Sequence, residues 1–374
     1  LTLAYTLAGT DCIDVAADPA VIASAQEGML AATKLAEAAE EKGFPGYCPP
    51  WLMVSLNDGE DPHFRKAEFN PNECPTDCPR PCEQVCPAQA ITFSGVIDQR
   101  CYGCGRCLPV CPSQLIFTRP YVYTQESIAP LVLHQGIDAI EIHTQIGRTA
   151  DFQRLWRAIE PEIDRLKLIA ISCPDGDGLI DYLWELHKAI APLPCPLIWQ
   201  TDGRPMSGDI GIGTTHAAIK LGEKVLAAGL PGYVQLAGGT NQHTVTKLQA
   251  AGLLQRGGEG ERERGREGKR ERGREGEHSL LNTPNSTLHT SSSTQHSTLN
   301  TPHSKIAGVA YGSYARVLLS PILEKLEKSN EINPTQNTSQ LEDNPQLLWE
   351  AVATARCLVS QIESSVKGTV TSCG

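Results

Sequence analysis

Eight of the chain's fourteen cysteines fall between Cys74 and Cys111, and no other feature limits the fold as tightly. In the second half of that segment, CYGCGRCLPVCP, Cys101, Cys104, Cys107 and Cys111 follow the C-x2-C-x2-C-x3-C-P spacing. This spacing wraps three thiolates round one iron–sulfur cube and sends the fourth to a neighbouring cube. Gly103 and Gly105 leave room for backbone amides to approach inorganic sulfide, and Pro112 turns the chain away. A disulfide knot would need an oxidising compartment and a small, core-poor domain. A zinc ribbon would need two C-x2-C pairs without a third close thiolate. Neither description suits a chain of 374 residues with 40% apolar side chains, so cluster binding is the expectation.

The first half, CPTDCPRPCEQVCP, spaces Cys74, Cys78, Cys82 and Cys86 evenly, with three residues between neighbours. Only its last step matches the bacterial ferredoxin run. By the crossed rule Cys86 completes the cluster of Cys101, Cys104 and Cys107, and Cys111 joins Cys74, Cys78 and Cys82 on a second one. Two 4Fe-4S clusters are therefore expected, with 3Fe-4S an open alternative at the irregular first motif. Between the two halves, AITFSGVIDQR holds two short β runs around Ser94 and Gly95, a hairpin signal that fits a ferredoxin-like module.

Outside this segment the chain alternates apolar, β-branched runs with amphipathic stretches. The runs are 11–17, 51–57, 137–143, 166–172, 196–202, 232–238 and 306–312. Continuously apolar strands alternating with helices that bury one face mean a parallel sheet covered by helices. The opening LTLAYTLAG resembles the end of a helix, which leads us to expect that a strand and half a helix precede it. Seven strands and that one would make a (β/α)8, TIM-like barrel, with the cysteine module inserted in the βα loop after the second run. An open doubly wound sheet is the alternative, and no G-x-G-x-x-G follows the first run to support it.

The resulting division is 1–70 for the first part of the barrel, 71–119 for the iron–sulfur module and 120–255 for the barrel continued. A disordered low-complexity insertion follows over 256–304, then the last barrel strand and helix over 305–328, and a linker with a C-terminal helix over 329–374. The insertion opens with RGGEGERERGREGKRERGREGE and passes into repeated Ser, Thr, His and Asn phrases without apolar anchors. Its charges nearly cancel, and the whole chain carries -11, so a nucleic-acid partner is not expected. No tract is apolar enough for a membrane span.

Barrel proteins keep their chemistry at the C-terminal ends of the strands. Four residues there, Gly238, Gly239, Gly312 and Ser313, sit where phosphate groups or a flavin bind on backbone amides, although the same glycines also suit plain tight turns. Asp202, Arg204, Asp209 and His216 gather in a Gly-rich stretch after the fifth recorded run. His143, Arg148, Cys173 and Asp175 also point to the mouth by position. His143 reads as a packed or hydrogen-bonded histidine and Cys173 as a small core residue.

The phrases DPHFRKAEF, CEQVCPAQAI, CYGCGRCLPVCP, WQTDGRPMSGDIG, YVQLAGGTN and IAGVAYGSYARVLL closely resemble the light-dependent period family of cyanobacteria. The resemblance covers nearly the whole chain apart from 256–304. It implies a cytoplasmic iron–sulfur protein that passes the redox state of photosynthetic electron flow to the circadian clock. Its implied partners are an electron donor from the photosynthetic chain, the clock's input kinase and the core clock proteins. A redox sensor is the favoured expectation, and a flavin-dependent barrel oxidoreductase the alternative, because no catalytic acid or base is recognisable.

Overall fold

The computed structural model describes residues 1–59, 65–86, 89–98, 100–101, 105, 107–120, 133–203, 214–254, 302–332 and 340–363. The strands, in chain order, are β1 Cys12–Ala16, β2 Trp51–Asn57, β3 Arg65–Glu68, β4 Ile91–Thr92, β5 Gly95–Val96, β6 Phe117–Pro120, β7 Ala139–His143, β8 Leu168–Pro174, β9 Leu197–Asp202, β10 Gly232–Ala237 and β11 Pro302–Val309. The helices are α1 Thr2–Leu7, α2 Pro19–Glu41, α3 Pro81–Gln84, α4 Cys107–Val110, α5 Thr149–Ile159, α6 Leu179–Ile190, α7 Thr215–Ala227, α8 Thr244–Ala250, α9 Ser313–Ile332 and α10 Pro345–Glu363. The expected insertion 256–304 falls outside the described residues except for its last three, which open β11.

Seven strands form one sheet in the order β1-β2-β7-β8-β9-β10-β11. Every pair is parallel, and the order follows the chain. A doubly wound sheet reverses its order at a switch point; this one winds in a single direction and curls into a half-barrel. Among the described residues β11 does not pair with β1.

Alternation along the strands sorts the side chains into two faces. Leu52, Val54 and Leu56 of β2, Ile140 and Ile142 of β7, Ile169, Ile171 and Cys173 of β8, and Trp199 of β9 face the helices. Against them pack Phe152, Leu155, Trp156 and Ile159 of α5, a three-to-four spacing that puts four apolar groups on one stripe. Tyr182, Leu183, Leu186 and Ile190 of α6 repeat the pattern. At Gly203, just after β9, a Cβ would stand 2.3 Å from the Ala218 backbone, so glycine is what lets α7 lie against the sheet end. The inner face carries a small apolar layer of Met53, Ala139, Leu168 and Ala170, with polar residues along the rest of it.

A second core joins the two ends of the chain. Leu3, Tyr5 and Leu7 of α1 pack with Leu319 and Ile322 of α9 and with Leu348, Val352 and Leu358 of α10. The Tyr5 hydroxyl donates to Ala315 O at 2.8 Å, and Arg356 donates to Ala8 O at 2.8 Å.

The cysteine segment lies between β2 and β7, and the antiparallel ladder β3–β6 brackets it. The expected hairpin is present as β4–β5, pairing Ile91 with Val96 and Thr92 with Gly95. Lys66 of β3 ties this module to the start of α2, two residues past β1. Its ammonium stands 2.8 Å from Asp18 Oδ2, with both side chains 4% exposed. Asp18 also caps α2 by accepting from Ala20 N at 2.8 Å. Removing one partner of a buried pair leaves the other charge uncompensated. We expect Lys66→Met to cost about 3–5 kcal/mol in chemical denaturation, and Lys66→Met with Asp18→Asn to cost less than Lys66→Met alone.

Candidate metal centre and the polar ring of the sheet

The cysteine module is built round sulfur. Cys82, Cys101 and Cys107 are buried with Ala67, Ala90, Ile91 and Ile116, and Cys86 and Cys111 pack against that core. Cys74, Cys78, Cys82, Cys86, Cys101 and Cys111 form no disulfides. Cys104 lies outside the described residues.

Backbone amides point at several of these sulfurs. Ala90 N donates to Cys86 Sγ at 3.2 Å, and Ala67 N to Cys101 Sγ at 3.5 Å. Burial opposes ionisation of Cys111, yet the N–H groups of Leu115, Ile116, Ser113 and Gln114 outweigh it and draw its pKa below the usual thiol value. Such donors hold a thiolate and tune the cluster it ligates. Two other thiols are pushed up: Cys74 by desolvation and by Cys78 and Cys111, and Cys82 by burial with Cys111 adding to it. Cys111 therefore lies close enough to Cys74 and Cys82 of the first motif to add to the rise of both. A set of thiols with N–H···S donors in a small apolar core fits iron–sulfur chemistry. Among the described residues no three Cys, His, Asp or Glu side chains converge on a single-ion position.

The other expected positions scatter. Gly238 and Gly239 take φ of 57° and 92° in the turn after β10. A Cβ on Gly239 would meet Thr214 O at 2.9 Å, and Thr214 Oγ1 donates to Gly239 O at 2.8 Å, so this turn is locked to the start of α7. Gly312 and Ser313 lie at the start of α9, after the adjacent strand, with open space around Gly312. Arg148 pairs with Asp58 at 3.5 Å and with Asp151 at 3.3 Å. Asp175 pairs with Lys224 at 2.6 Å, and His216 is exposed. Cys173 is buried in the main core, and burial pushes its thiol up to about 12, as suits a packing residue. Arg204 and Asp209 lie outside the described residues.

His143 and Asp202 belong to an arrangement that motif spacing gave no sign of, a polar ring on the inner face of the sheet. Ser55 Oγ donates to Asp14, with both carboxylate oxygens at 2.7 Å, and lies 3.0 Å from Glu141 Oε2. Gln200 Nε2 donates to Glu141 Oε1. His143 stands 3.5 Å from Glu141 and 4.0 Å from Asp202, whose carboxylate accepts from Ser172 Oγ at 2.7 Å. Glu141 is 1% exposed, whereas Asp14 opens to solvent.

Burial pushes Glu141 from the usual 4.5 up to about 7, with Asp202 raising it further and hydrogen bonds from Asp14, Ser55 and Ser172 opposing the shift. Asp14, at the open rim of the ring, is raised above its usual value by the partial desolvation of the sheet's inner face and by Glu141, so the two carboxyls compete for one negative charge. A carboxyl whose pKa is higher folded than unfolded costs stability as pH rises between the two values. Glu141→Gln should therefore leave stability nearly unchanged below about pH 4.5 and raise it above about pH 7, by up to about 3 kcal/mol. Denaturation midpoints of both proteins across that range check this.

Residues 131–361 match the family model described as Light dependent period A C-terminal domain, and residues 74–122 match the LdpA Fe-S cluster-binding domain. A curated relative, Light dependent period A of Synechococcus elongatus, is 44% identical over 368 residues, covering 98% of this chain and 87% of the relative. No solved structure matches the chain. No helix among the described residues is long and apolar enough to cross a membrane. The sheet and the cysteine module are matched together, and on that ground the chain belongs to the light-dependent period A family.

Proposed function

We propose that this protein is a redox sensor that passes the state of photosynthetic electron flow to the circadian clock through two iron–sulfur clusters. Cys86, Cys101, Cys104 and Cys107 hold a 4Fe-4S cluster in this reading. Cys74, Cys78, Cys82 and Cys111 hold the second cluster, a 4Fe-4S or, given the irregular spacing, a 3Fe-4S centre. What carries the proposal is one module in which sulfur ligands, their amide donors and a buried tie to the sheet occur together. Ala67 donates to Cys101 Sγ, and the adjacent Lys66 holds Asp18, the residue that caps α2. A change in charge at the cluster acts on a strand fixed to the rest of the fold.

Glu73 and Asp77, beside the first motif, are exposed. An added electron near these carboxylates changes the local potential that a partner meets. The partners in this reading are an electron donor from the photosynthetic chain, the clock's input kinase and the core clock proteins. A ligand can shift an equilibrium only by its difference in affinity for two states, and tenfold corresponds to about 1.4 kcal/mol.

Two measurements test the reading. Cys104→Ser should lose the cluster of the second motif, seen as a loss of iron and sulfide and of its paramagnetic resonance signal after reduction. Affinity for the input kinase should differ by about tenfold between dithionite-reduced and oxidised protein, and the difference should vanish in Cys104→Ser. Equal affinities with intact clusters overturn the sensor. The alternative, a flavin oxidoreductase, is favoured by the open surface at Gly312 ahead of the long helix α9. A stoichiometric flavin absorption in anaerobically purified protein would select it.

A further inference from the structure

The inner face of a barrel-type sheet is ordinarily filled by layers of branched apolar side chains. Here the lower layer obeys that rule with Met53, Ala139, Leu168 and Ala170. The layer above holds three carboxyl groups, an imidazole, a carboxamide and two hydroxyls. Its hydrogen bonds are unbalanced in one direction. Both hydroxyl protons go to carboxylates, Ser55 to Asp14 and Ser172 to Asp202, and the Gln200 amide proton goes to Glu141. Gln200 Oε1, on a residue 7% exposed, has no hydrogen-bond partner among the described residues. A buried acceptor left unmatched costs about 1–3 kcal/mol unless something donates to it. Even with the one proton shared by Asp14 and Glu141, the ring, among the described residues, offers more acceptor atoms than donors.

Its charge leans the same way. Among the described residues the ion pairs of Glu141 and Asp202 are with His143. Arg148, beyond the C-terminal end of β7, is engaged by Asp58 and Asp151. The ring is reachable, because Asp14 is exposed and the side chains of His143 and Asp202 are 33% and 27% exposed. Its acidic groups are spread from Asp14 past Ser55 and Glu141 to His143 and Asp202, which suits an elongated N–H donor better than a point ion.

We propose that this ring is a binding site for a small organic cation, an amine or guanidine, whose N–H groups are taken by Gln200 Oε1 and the carboxylates of Glu141, Asp14 and Asp202. The cluster module plays no part in the contacts. The ring lies on β1, β2, β7, β8 and β9, toward the strand ends where sheets of this kind hold ligands. Occupation would favour the charged form of the Asp14–Glu141 pair, whose proton the cation displaces.

The probes are butylguanidinium and butylammonium, with butyramide and butyrate as neutral and anionic counterparts, titrated calorimetrically into the full chain with its clusters in place. Saturable binding of the cations, at least tenfold tighter than butyramide, is the expected result, with no binding of butyrate. Glu141→Gln should weaken cation binding at least tenfold. His143→Lys, which tethers an ammonium in the ring at a part-exposed position, should do the same by occupying the site. Asp175→Asn, at the exposed pair with Lys224, should leave binding unchanged. Cations that bind no better than butyramide, or equal affinity in the parent and His143→Lys, would overturn the proposal.

Discussion

The Lys66 ammonium is the point on which two otherwise separate structures meet. It contacts Asp18 Oδ2 at 2.8 Å and donates to Asp98 O at 2.5 Å. Asp98 in turn takes Arg119 at 2.5 Å, and Arg119 reaches Glu68 at 2.6 Å. One line of polar contacts therefore runs from the cap of α2, through both strands of the β3–β6 ladder, to Asp98, two residues past the small hairpin. A buried lysine is tolerable only when its charge is met, and here the carboxylate that meets it is also the helix cap. The position of the module and the start of α2 are held by the same carboxylate, one oxygen on each.

Much of the sheet was legible because burial on both faces writes a continuous apolar run, as in Leu168–Pro174, and because the helices carry three-to-four stripes. Winding direction followed from the steady alternation of the two. The β3–β6 ladder was not legible: Arg65-Lys66-Ala67-Glu68 has three charged side chains in four residues and no apolar alternation. Its pairing depends on ions supplied by distant segments.

The cysteine module was legible by spacing, since binding a cluster of fixed size limits the intervals between sulfurs. The polar ring was not, because its members come one or two at a time from five strands. A signal was nevertheless present. Asp14 in CIDVA, Glu141 in AIEIH and Gln200 in LIWQTD each interrupt an apolar strand with a polar group that a buried sheet would otherwise exclude. Read together, such interruptions mark the inner face; read one at a time, each looks like a strand with a blemish.

The antiparallel ladder at the base of the module has a consequence for how such a protein arises. Because Arg65 pairs with Pro120 and Glu68 with Phe117, the chain leaves the β2–β7 connection and returns to it at neighbouring points. The ends of the excursion are already closed, so its length barely matters to the sheet, since closure entropy grows only with the logarithm of loop length. The sulfur-rich segment is a detachable graft on a stem. Ancestral versions of this sheet could have acquired it, lengthened it or shed it without any strand changing its neighbour.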